Sequence, residues 1–267
     1  MSPVFQPFPM LPKRRAQVWR HQPSYRRPRH FHDEPEINLV VAGSAVLGIG
    51  DRVVCVSAGE MILFQPGQDH VLLESSTDLD LFVLALTPEL ADRAVGSRAL
   101  ASGRSVAFST PEVSETVSEF AGLADVSDRD AVETRLAGFF SRAVEQARGV
   151  HVLSRRALES ARAMPSLPAA SLARRLATPP SRLSRRFHED LGVTLVEYRG
   201  RLKLMQFVEI VDRGRAMHHA ALEAGFGSYA QCHRVFRRAL GCSPRAYFNG
   251  ERLSIDQALA VSPMLSR

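Results

Sequence analysis

Tyr229, Gln231, His233, Arg234, Arg237 and Arg238 place a run of hydrogen-bond donors and positive charge within ten residues. Cys232, Phe236 and Leu240 recur every four residues among them, which on a helix makes one apolar stripe and turns the donors outward. Glutamine can pair with adenine and arginine with guanine through two hydrogen bonds each, giving about 1–3 kcal/mol of base discrimination. Arg237 and Arg238 suit phosphates, which position a protein without reading sequence. The chemistry is recognition of double-stranded DNA, not bond making. A surface helix with an ordinary solvated basic side would show the same local pattern.

The flanking residues favour recognition. Ala220, Ala221 and Ala224 predict a short, closely packed helix, Gly225 a left-handed turn, Phe226 a core anchor and Ser228 an N-cap. A short helix, a glycine turn and a basic second helix make a helix-turn-helix, whose second helix enters the major groove. The unit is duplicated. Leu183, Arg185, Phe187, Leu191, Gly192, Thr194 and Tyr198 stand 49 positions before Cys232, Arg234, Phe236, Leu240, Gly241, Ser243 and Tyr247. Leu172-Ala173 precede Ala220-Ala221 by 48, so the second turn is one residue longer. Two copies do not make a solenoid. They predict two recognition helices joined by a linking helix over 195–212, set roughly 34 Å apart on one face of DNA.

These residues, with Leu183-Ser184-Arg185-Arg186-Phe187 and Gly225-Phe226 at their centre, resemble the AraC/XylS family of transcription regulators over about 100 positions. The pattern departs at Pro179, where a serine commonly caps, at Cys232, and at Phe207, where a small residue is usual. With Leu183 and Phe187 turned inward, Ser181, Arg182, Ser184 and Arg185 face outward. By motif position Ser181, Ser184 and Arg185 are implied to meet bases, as are Tyr229, Gln231, His233 and Arg234. Arg182, Arg186 and the backbone at Thr178 are implied to meet phosphates. Salt bridges of Arg185 with Glu189 and of Arg234 with Glu223 are the structural alternative. The resemblance further implies a small-molecule effector, RNA polymerase as a partner, and activation more often than repression.

Charge follows the same division. Residues 1–150 hold 15 Lys/Arg against 19 Asp/Glu, a net of −4, and residues 151–267 hold 19 against 9, a net of +10. Positive charge gathered in one part is the footprint of phosphate contact. Cys55, Cys232 and Cys242 are too few and scattered for a disulfide framework or zinc ribbon, and read as buried thiols. With no apolar run of membrane-spanning length and no signal-peptide core, the expected location is cytoplasmic, away from membranes.

Ahead of this region the pattern is short β-type runs. Segments 37–41, 45–49, 52–56, 61–64, 70–73 and 79–86 alternate with Gly43-Ser44, Gly50-Asp51, Ala58-Gly59 and Pro66-Gly67, predicting a small antiparallel barrel or jelly roll. His30 and His32, two apart, face one way on a strand, and Glu36 and Gly43 follow. With Gly59 and the run Pro66-Gly67-Gln68-Asp69-His70, this resembles the two motifs of the cupin barrel. The resemblance implies a metal held by His30, His32, Glu36 and His70, and imidazole and carboxylate ligands suit Zn, Fe, Mn, Ni or Cu. Histidines lining a barrel can instead bond a ligand or one another. Either way the barrel mouth is the expected effector pocket.

Residues 1–20, with four prolines, read as an extended arm. Helices are expected after Thr87-Pro88 and Thr110-Pro111, from 127 to a stop at Gly149, and from 152 to 164. Val132, Leu136, Phe139, Phe140, Ala143, Val144 and Ala147 make a broad stripe, for packing on the barrel or, as the resemblance favours, for a homodimer. The expected organisation is α+β and multidomain. It comprises an arm (1–20), a cupin-like effector and dimerisation domain with trailing helices (21–149), an all-α DNA-binding domain with two helix-turn-helix units (150–250) and a tail (251–267). The expected function is an effector-controlled, sequence-specific transcription regulator with no catalytic residues. The alternative is a metal-dependent cupin dioxygenase or isomerase with an accessory DNA-binding domain.

Overall fold

A computed structural model describes residues 3–8, 10–21, 27–96, 105–123, 128–147 and 151–251. The helix stop at Gly149, the boundary at 149/150 and the tail beyond 251 lie outside them.

The alternating runs form β4 (Glu36–Ala42), β5 (Ser44–Ile49), β6 (Arg52–Ser57), β7 (Glu60–Phe64), β8 (His70–Ser75) and β9 (Asp80–Leu86). Four strands escape the alternation pattern: β1 (Val4–Phe5), β2 (Ala16–Arg20), β3 (His30–Phe31) and β10 (Ser105–Ala107). Residues 16–20, placed in the arm from the sequence, pair antiparallel with β9. The strands make two five-stranded sheets, ordered β1-β3-β8-β5-β6 and β10-β7-β4-β9-β2. Pairing is antiparallel except between β1 and β3. Between β4 and β5 the chain passes from one sheet to the other at Gly43, whose φ of 71° is open to glycine at little cost.

Val40 and Ile62 of one sheet meet Leu47 and Ile49 of the other, forming the core between the sheets. The outer face of the second sheet carries another core, completed by α1 (Pro88–Val95), α2 (Thr110–Gly122) and α3 (Arg129–Gln146). Thr87 caps α1 as expected, whereas Ser109, one residue before Thr110, caps α2 through a capping box with Glu112. The seven apolar residues of the α3 stripe are buried in this core. The stripe favoured as a dimer contact is thus covered by the chain's own sheet, and a partner would have to use other residues.

The C-terminal part is helical: α4 (Val152–Ala163), α5 (Ala169–Arg175), α6 (Pro180–Leu191), α7 (Leu195–Asp212), α8 (Met217–Glu223), α9 (Tyr229–Leu240) and the short α10 (Pro244–Ala246). The repeat is visible in its turns. Ala177 (φ 49°) and Gly225 (φ 81°) take the left-handed turn between the helices of each pair. Gly192 and Gly241 end α6 and α9 in the same way. Thr194 and Ser243 then cap the next helices. Pro179 precedes α6 without a side-chain cap, while Ser228 caps α9 by accepting from Gln231 N–H.

The cysteines differ in environment: Cys55 is exposed, Cys242 intermediate and Cys232 buried. Cys55 stands on β6 at the end of its sheet, which corrects the expectation of three buried thiols. Burial pushes the Cys232 thiol up to about 12. A thiol-reactive disulfide added to the folded chain should modify Cys55 at once and Cys232 only on unfolding. Peptide mapping by mass spectrometry checks this, and equal rates at the two would contradict the packing.

Candidate functional site

His30 and His70 are directly paired across β3 and β8, and His32 follows β3 by one residue. Their nitrogens lie within 4.8 Å of one another and all three rings are buried. Each Nδ1 is backed by a main-chain carbonyl: Pro28 O at 2.8 Å for His30, Glu34 O at 2.8 Å for His32 and Gln68 O at 3.2 Å for His70. A carbonyl only accepts, so the Nδ1 of His30 and of His70 carries the proton and their Nε2 is presented inward, the arrangement metal-bound histidines commonly show, whereas His32 faces an acceptor at both nitrogens. Among the described residues, Nε2 of His30 and of His70 have no hydrogen-bond partner. His32 Nε2 is 3.0 Å from Glu36 Oε2, which lies 3.6 Å from His70 Nε2.

Burial pushes the His30 imidazole well below its ordinary value, aided by the neighbouring charges of His70, Arg27 and His32. For Glu36 burial acts upward, but His70 and His32 prevail and hold the carboxyl well below the usual carboxylate range. Phe64 stacks on His70 at 4.1 Å and closes one side. The four residues implied by the cupin resemblance are therefore gathered in one place, three imidazoles that could hold a metal ion with Glu36 hydrogen-bonded to one of them. Between the sheets Val40, Leu47, Ile49, Ile62 and Phe64 belong to one buried cluster. A cavity of about 540 Å³ lies elsewhere, between Phe5, Pro7 and Asp33 on one side and Arg162 and α7 on the other.

On α6, Ser181, Arg182, Ser184 and Arg185 are all exposed, while Leu183, Phe187 and Leu191 are buried. On α9, Gln231, Arg234, Arg237 and Arg238 are exposed, and Tyr229 and His233 are half-buried. Neither alternative salt bridge forms. Glu189 pairs with Arg186, and Glu223 with Arg215. Among the described residues Arg182, Arg185, Arg234 and Arg237 have no acidic partner. Arg186, expected at phosphate, is held by Glu189 and Asp190, and Arg238 lies 3.4 Å from Glu197. Gln231 Oε1 accepts from Gly227 N–H at 2.8 Å, which leaves its second lone pair and the Nε2 donors for other partners.

The residues that join the two parts have no local sequence signature. Asp69 Oδ1 accepts from Arg201 Nη1 of α7 at 2.6 Å, and its Oδ2 from Arg29 Nη1 at 2.8 Å. Arg201 also donates to Gly67 O at 3.0 Å and covers the Phe31 ring at 5.1 Å. Phe5 and Phe31 pack into the same core as α4 to α9. Arg199 and Arg201 stand among the buried residues of α7, which their types do not foretell.

A β-sandwich with a buried imidazole cluster, fixed to two helix-turn-helix units whose recognition helices expose unpaired arginines, is a sensor joined to a DNA reader. The family model for the AraC-like ligand binding domain matches residues 17–164, and that for a helix-turn-helix domain matches residues 172–250. The chain belongs to the AraC-like family of DNA-binding transcription regulators. A search of curated proteins finds no match. Among solved structures, ToxT from Vibrio cholerae O395 shares the fold: 15% identity, 92% of this chain and 98% of that chain covered, TM-score 0.50. ToxT from Vibrio cholerae strain SCE256 with an unsaturated fatty acid bound gives 16%, 87% and 93%, TM-score 0.46. The C-terminal domain of AraT, a response regulator from Geobacillus stearothermophilus, gives 23%, 38% and 86%, TM-score 0.36. Among the described residues no helix is long and apolar enough to cross a membrane.

Proposed function

We propose that the chain reads a promoter with both helix-turn-helix units and that a metal ion or small molecule at the imidazole cluster controls it. The observation that supports DNA reading is the pair Arg185 and Arg234, 49 positions apart, both exposed and both without an acidic partner among the described residues. Ser181, Ser184, Tyr229 and His233 would complete the base-facing set, with Arg182, Arg237 and Arg238 on phosphates. Arg234→Ala should weaken specific binding by about 1–3 kcal/mol and leave binding to scrambled DNA nearly unchanged. Arg238→Ala should weaken both alike and lower the salt slope by about one unit. Mobility-shift titrations on cognate and scrambled duplexes check this. Equal losses for the two variants would count against the assignment.

His30, His32 and His70 would hold the ion, with Glu36 either replacing its bond to His32 or orienting that ring. An ion there would supply charge and geometry to the sensor. Imidazole and carboxylate donors suit Zn, Fe, Mn, Ni or Cu. Chelator-stripped protein should gain thermal stability on addition of Zn²⁺ or Ni²⁺, by about 2.7 kcal/mol at a hundred times the dissociation constant. His70→Ala should abolish the gain, and an unchanged melting curve for the wild type would remove the metal from this reading. Turnover of a substrate by metal-loaded protein would favour the cupin enzyme. Pairing of two chains and contact with RNA polymerase belong to the same reading, and sedimentation tests the first.

A further inference from the structure

The sensor bonds to the last carbonyls of one recognition helix and, among the described residues, to none of the other's. A helix leaves its last four carbonyls without donors of its own. At the end of α6, Arg52 donates from Nη2 to His188 O at 2.8 Å and from Nη1 to Asp190 O at 3.4 Å. Gln68 Nε2 donates to Leu191 O at 2.7 Å, and Asp51 N–H to Gly192 O at 3.1 Å. The Asp51 carboxylate lies 3.0 Å from His188 Nε2. The backbones meet so closely that a Cβ on Gly50 would stand 2.0 Å from Gly192 O. Across the matching turn of α9, residues 237–241, no donor from the sensor reaches a carbonyl among the described residues. Strand β1 lies beside α9 without a hydrogen bond between them among those residues.

We infer that the sensor caps and orients the first recognition helix across the domain boundary, with Arg52 and Gln68 as positioning residues, while the second unit reads DNA without this support. The inference rests on the reading that both units contact DNA. The cap meets α6 at the end away from Ser181, Arg182, Ser184 and Arg185, so it steadies the DNA-facing side and leaves it open. Gln68 is followed by Asp69 and His70, so the cap and the imidazole cluster share one segment. An occupant of the cluster therefore bears on the first unit in particular.

The test uses the full-length chain. A site is selected from random-sequence duplexes with the wild type, and its halves are assigned by where Arg185→Ala and Arg234→Ala lose discrimination. Failure to select any site defeats the DNA reading itself. Given a site, the double variant Arg52→Ala/Gln68→Ala should bind it about tenfold more weakly. It should match the wild type on a duplex whose first half is scrambled, and Arg52→Lys, which keeps one donor group, should recover part of the loss. Hydrogen exchange provides a reading independent of DNA. Amides of the last turn of α6 should exchange faster in the double variant, with those of α9 unchanged. Equal weakening on both duplexes, tighter binding, or matching exchange at both helix ends would overturn the inference.

Discussion

Asp69→Ala is expected to cost about 3–5 kcal/mol of stability, the range for removing one member of a buried ion pair. The carboxylate side chain is 4% exposed and serves two guanidinium groups, Arg201 at 2.6 Å and Arg29 at 2.8 Å. Its loss leaves Arg201, 10% exposed, with positive charge in the interface and no acid to answer it. Adding Arg201→Met should restore much of the loss, because two uncharged side chains cost less than one stranded charge. Urea unfolding followed by Trp19 fluorescence in the sensor and by helical circular dichroism measures both. The two signals should separate in Asp69→Ala if the interface is what couples the domains. A midpoint equal to that of the wild type would remove the pair from the stability of the chain.

Phe236→Ala should be comparably severe, about 3–5 kcal/mol, from lost burial and the cavity left behind. The ring is fully buried, meeting Phe207 edge-on at 5.8 Å and Tyr247 at 5.4 Å. Phe207 occupies a linking-helix position where the family resemblance implies a small residue, and here it fills the space between α7 and α9. Phe236→Leu, which keeps most of the volume, should cost less than about 1.5 kcal/mol. Thermal unfolding of the two variants decides, and similar melting temperatures would mean the ring is not packed as described.

Six strands and the linking helix were legible because their residues obey one period and end at glycine, proline or a capping side chain. The helix from Leu195 to Asp212 was expected as the connector between the repeats, and it begins at a threonine–glutamate capping box. β1 and β2 were not legible because proline density nearby reads as an open arm, while pairing with β3 and β9 is decided far along the chain. The resemblance to the cupin motifs brought His30, His32, Glu36 and His70 together, where spacing alone put only His30 and His32 on one side of a strand. It could not show that three carbonyls back the Nδ1 atoms, since these belong to Pro28, Glu34 and Gln68, outside the regular strands. Arg52 and Gln68 gave no signal, because their partners are backbone atoms more than 120 positions away. Gln231 was named for adenine from its type, and nothing in that type signals that its oxygen also accepts from Gly227 N–H.

Phe5 and Phe31 are sewn into the carbon interior of the helical half. Scissors applied between the sensor and the helical half would therefore not yield two self-sufficient pieces. The liberated reader would present a bald oily spot where two phenyl rings had rested, and such a fragment is prone to clump. Evolutionary shuffling of this reader onto a foreign sensor would face the same obstacle, since the replacement must bring its own pair of plugs.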